Sequence, residues 1–126
     1  MSDATPAAVN VLGEPLQPCC TANNAGFFRD GLCRTDSQDL GRHVICAIVT
    51  DEFLDFSASR GNDLKTPIPM FDFPGLNAGD RWCLCATRWR EAMRAGCAPR
   101  VDLAATEETA LAVVTLSDLQ AHAAEH

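Results

Sequence analysis

No stretch of the 126 residues comes near the roughly 18 consecutive apolar positions that a membrane-spanning helix needs. The opening, MSDATPAAVN, lacks the basic start and apolar run of a secretion signal. The expectation is a cytoplasmic protein, in a compartment where glutathione and thioredoxin keep thiols reduced. Positive charge is also short: the net charge is −7. That balance argues against nucleic acid or an anionic membrane as partner and leaves a small ligand or another protein. C-x-x-C is absent, which removes the thioredoxin-type pair and the zinc ribbon. H-E-x-x-H, G-x-G-x-x-G and the P-loop are absent too. There is no internal repeat and no low-complexity segment.

What remains has an ordinary globular composition, 47% apolar and 21% charged. A chain of this length suits one domain that buries enough surface to fold without a disulfide or a metal. Five of the ten basic residues fall between Arg81 and Arg100, with only Glu91 opposing them. A helix with arginines on its outer face accounts for that cluster.

The pattern predicts an α+β domain: a small sheet, three to four short helices and two long structured loops. Residues 1–8 are small and polar and read as a flexible N-terminus, with a single domain over 9–126. VNVLGEPL reads as a short strand ending at Gly13, and Pro18 to Gly41 as a loop. HVICAIVT, 43–50, is a β-branched, apolar run and reads as a buried strand. A helix follows, with Thr50 or Asp51 as cap, Phe53, Leu54 and Phe56 as apolar face, and Gly61 as stop. Residues 61–80 hold three prolines and three glycines and read as the second loop. RWCLCA predicts a second strand, TRWREAMRAG a helix buried through Trp89, Ala92 and Met93, and RVDLAA a third strand. Thr106 is the expected cap of one tail helix, and Ser117 with Gln120 the capping box of another.

Seven cysteines carry the chemistry: Cys19, Cys20, Cys33, Cys46, Cys83, Cys85 and Cys97. An odd number, without a secretion signal, argues against a full disulfide framework. On a strand, Cys83 and Cys85 point to one face with Cα atoms roughly 6.5–7 Å apart. That is long for an unstrained disulfide and suits two thiolates on one metal. Two small core residues fit the same spacing. The adjacent Cys19 and Cys20 complete a candidate metal set of Cys19, Cys20, Cys83 and Cys85. Soft thiolates select zinc, copper(I) or iron–sulfur. Cys33 lies between Arg29 and Arg34, whose charges favour a thiolate, so it is an extra ligand or a reactive thiol. His43 is a further ligand or base. Cys46 reads as core, Cys97 as incidental, and His122 and His126 as solvated. Arg60, Asn62 and Asp63 form a possible ligand loop; the competing role for Asn62 and Asp63 is to close the turn.

PLQPCCTANNAGFFRDGLC, ICAIVTDEFLDFSASRGNDLKTPIP and FPGLNAGDRWCLCATRWREAMRAGCAP together resemble the bacterial domain-of-unknown-function family numbered 2237. The resemblance runs from about Val11 to His122 and implies a small stand-alone α+β domain, with no activity attached. Cys19, Cys20, Cys33, Cys46, Cys83 and Cys85 match its pattern. Cys97 departs from an expected apolar residue, and Glu107 from an expected histidine.

Three functions stay open. The leading one is thiolate metal binding at a cysteine-lined site. The others are a thiol-based enzyme or redox switch, and an interaction domain with cysteines in its core.

Overall fold

The computed structural model describes residues 9–19, 31–34, 43–71, 73 and 75–124. It is an α+β domain built on a three-stranded antiparallel sheet. Strands β1 (His43–Ile48), β2 (Arg81–Cys85) and β3 (Arg100–Val101) lie in the order β2-β1-β3. Helices α1 (Asp51–Ser59), α2 (Ala86–Arg94) and α3 (Leu116–Ala121) pack around it, with 3₁₀ turns at Pro69–Phe71, Leu103–Ala105 and Glu108–Ala112.

β1 is central because Val44, Ile45, Cys46 and Ala47 are buried in succession, so both faces of the strand are covered. The chain leaves β1 directly into α1. The Thr50 hydroxyl accepts from the Phe53 N–H at 3.1 Å, while Asp51 and Glu52 occupy the positive end of the helix. Gly61, at φ 88°, ends the turn after Arg60. In α2, Trp89 and Ala92 face the core, and Arg88, Glu91 and Arg94 face outward or half-outward. The indole N–H of Trp89 donates to the Pro99 carbonyl at 3.1 Å, which satisfies the only polar atom on a fully buried ring.

Several elements differ from expectation for reasons that lie in single side chains. VNVLGEPL is no strand: Val9 and Asn10 make isolated bridges to Pro15 and Glu107. The buried Asn10 carboxamide accepts from the Leu12 and Glu14 N–H groups at 2.9 and 3.0 Å and folds the chain back. β3 stops after two residues because the Asp102 carboxylate accepts from the Ala104 N–H at 3.1 Å and starts a 3₁₀ turn. Thr106 caps no helix. Its hydroxyl is buried, donating to the Asp102 carbonyl at 2.8 Å and accepting from the Cys46 N–H at 3.2 Å. Glu107 caps the following turn instead. Thr115, not Ser117, caps α3. His122 is not simply solvated; its ring lies edge-on to Trp89, with centroids 5.2 Å apart. His126 lies outside the described residues.

Candidate functional site: a four-cysteine centre

Cys46 on β1 is the register partner of Cys83 on β2. Directly opposed residues of an antiparallel pair share a face. Two further cysteines reach that face from the chain preceding β1. The Cys19 N–H donates to the Gly31 carbonyl at 2.7 Å, tying together the two segments that carry Cys19 and Cys33. Cys19 is disulfide-bonded to Cys46 and Cys33 to Cys83, with Cα–Cα distances of 5.6 and 5.2 Å. The sulfurs of Cys19, Cys33 and Cys46 all lie within 4.8 Å of one another. Cys83 joins them through its bond to Cys33. None of the four residues is more than 4% exposed.

Among the described residues, Arg81 is a cation placed against this cluster. Arg81 lies two residues before Cys83 on β2. Its Nε donates to the Cys19 carbonyl at 2.6 Å, and its Nη2 sits 3.5 Å from the Cys46 sulfur. The same nitrogen donates to the carboxylate of Asp102, a buried residue at the end of β3. One array thus draws on Cys46 from β1, Arg81 and Cys83 from β2, and Asp102, the residue that follows β3. If the Cys19–Cys46 bond opens, a positive charge already stands beside the sulfur released at Cys46.

Cys83 and Cys85 go different ways, although two-residue spacing on an ideal strand puts them together. Between His43 and Ile45, β1 advances two residues while β2 advances one, from Cys85 to Leu84. The extra residue is a bulge, which re-aims side chains at a strand end. Cys85 is also the N-cap of α2, where the chain leaves the sheet. Its free, half-buried thiol lies 3.1 Å from the Thr87 hydroxyl. It lines a cavity of about 190 Å³ together with His43, Asn62, Trp82 and Arg88.

The candidates therefore sort into two places. Cys19, Cys33 and Cys83 meet at the disulfide centre, joined by Cys46. Cys85, His43 and Asn62 meet at the small cavity. Cys20 lies outside the described residues. Asp63 closes its own turn: its carboxylate accepts from the Thr66 hydroxyl at 2.6 Å and from the Lys65 N–H at 2.9 Å. The Thr66 hydroxyl, then the Lys65 N–H, hold its carboxyl below the usual range. Arg60 is exposed, sits over the Phe56 ring and pairs loosely with Glu91 at 3.9 Å. Cys97 is half-buried; burial first, and then the Glu52 carboxylate, push its thiol up. The sequence alone assigned no role to Arg81 or Asp102; it placed Cys46 in the core, where it lies, but not in a disulfide. The only local hint at Arg81 was its two-residue offset from Cys83.

Among the described residues, no helix is long and apolar enough to cross a membrane. A family model described as an uncharacterised protein conserved in bacteria, DUF2237, matches residues 9–123. No curated protein matches the chain.

Proposed function

For a chain that belongs to the bacterial DUF2237 family over residues 9–123, we propose a function read from its own sulfurs: a redox-governed thiolate centre. Oxidised, the four cysteines are the two disulfides. Reduced, they are a ligand set for one soft metal ion, zinc first. The observation that carries this reading is the convergence of four buried cysteines, with three sulfurs within 4.8 Å of one another. Tetrahedral zinc with sulfur at about 2.3 Å places its ligands about 3.8 Å apart. Four thiolates on a dication leave a net charge of −2, and Arg81 offsets part of it. The ligand set is Cys19, Cys33, Cys46 and Cys83. A cytoplasmic protein meets a reducing thiol pool, so the metal form is the resting state and the disulfides are the response to an oxidant.

The test is zinc binding by protein reduced with a phosphine and freed of chelator. Cys33→Ser and Cys46→Ser each lower affinity at least about a hundredfold, while Cys85→Ser leaves it unchanged. Zinc retained by both of the first two variants and lost from the third contradicts this ligand set.

A further inference from the structure

We infer that the cavity at Cys85 is a second, separate thiol site, which accepts a small disulfide bearing a carboxylate and exchanges with it to modify Cys85. The inference is independent of the metal-binding reading, since none of its residues belongs to the four-cysteine centre.

The site brings five different functions together. Cys85 offers the only nucleophile among the described lining residues. His43 is its register partner across the sheet, so the two side chains start from one face with Cβ atoms about 5 Å apart. Both border the same cavity, which makes His43 the group placed to take the thiol proton. Arg88, one turn into α2, contributes a guanidinium. It is anchored by donation to the Arg60 carbonyl at 3.0 Å and reaches Glu91 at only 3.5 Å, so it retains donors for an incoming anion. Asn62 adds a carboxamide, and Trp82 and Leu64 an apolar wall. About 190 Å³ is smaller than most drug-sized pockets, so the fitting ligand is a short alkyl chain with one charged end. The bulge and the start of α2 are what turn Cys85 and His43 into this space instead of toward Cys83.

The chemistry balances as thiol–disulfide exchange. Cys85 passes its proton to His43, and its sulfur attacks one sulfur of the reagent. The reagent's S–S bond breaks, and its second half leaves as a thiolate that takes the proton back. Cys85 is oxidised to a mixed disulfide, and half of the reagent is reduced to a thiol.

The experiment uses the full chain in its disulfide form and two reagents of similar length: the disulfide of 3-mercaptopropionate and uncharged 2-hydroxyethyl disulfide. Adducts are located by tandem mass spectrometry. In the unaltered protein, Cys85 is modified at least about tenfold faster than Cys97, whose thiol is raised by burial and Glu52. Arg88→Met slows the dicarboxylate at Cys85 about tenfold and leaves the neutral reagent within about twofold. His43→Gln slows both reagents at Cys85 about tenfold, with the Cys97 rate unchanged. The Cys97 rate guards against a folding defect, because loss of structure speeds both thiols. Equal rates at Cys85 and Cys97 in the unaltered protein overturn the proposal. So does a Cys85 rate that neither substitution changes.

Discussion

At the scale of single residues, Arg81 is the connecting group of this molecule. It bonds the Cys19 carbonyl, faces the Cys46 sulfur and pairs with buried Asp102. Removing one partner of a mostly buried ion pair costs more than the pair itself contributes, because the other charge stays behind in a poor solvent. Arg81 is about one-third exposed, which reduces the effect. Arg81→Met is expected to lower stability by about 2–3 kcal/mol in urea unfolding. Asp102→Asn keeps an acceptor for the Ala104 N–H and costs about 1 kcal/mol. Cys97 gives a test of opposite character. Burial and a neighbouring carboxylate both oppose its charged form, so its folded-state pKa lies above the unfolded one. At pH 8 it should alkylate several-fold more slowly in the folded protein than in urea; equal rates would contradict the shift.

At the scale of elements, much of the fold was legible. β1, α1, β2 and α2 follow from an apolar run, a capping threonine, a second short run and a Trp-Ala-Met face. What failed was pairing and termination. Strand register is set by tertiary packing and cannot be read from either strand alone, so Cys46 was legible as core but not as the residue opposite Cys83. The bulge is hidden for the same reason, and with it the parting of Cys83 from Cys85. The cysteines themselves were visible as candidates; their partners were not. The loop over 61–80 shows how tightly an irregular segment can be specified. Gly75 has φ +79°, and a Cβ built there would lie 2.4 Å from the Lys65 carbonyl oxygen, which is backbone and cannot swing away. Gly75→Ala is therefore expected to cost at least about 2 kcal/mol. Thr50→Ala, which removes only the cap of α1, should cost about 1 kcal/mol.

At the scale of the whole molecule, the two disulfides interleave: Cys19–Cys46 spans 27 residues and Cys33–Cys83 spans 50. Chain entropy alone assigns each about 3.5–4 kcal/mol, less any overlap between the loops. That is a large share of the 5–15 kcal/mol typical of a domain. Reduction without metal should therefore lower the urea midpoint markedly. Zinc added to the reduced protein should restore much of it, because an ion that binds only the folded state stabilises by mass action. The domain would then have two well-ordered states that share one sheet and differ in what joins the four sulfurs. The cavity at Cys85 stays outside this exchange and keeps its own thiol in both.

The most direct measurement is native mass spectrometry with a thiol count, on the disulfide form and on phosphine-reduced protein given excess zinc and then desalted. The account predicts no zinc on the disulfide form. It predicts one zinc per reduced chain, with four of the seven thiols protected and Cys20, Cys85 and Cys97 open to alkylation. Reduced protein that stays folded, holds no zinc and exposes all seven thiols would contradict it.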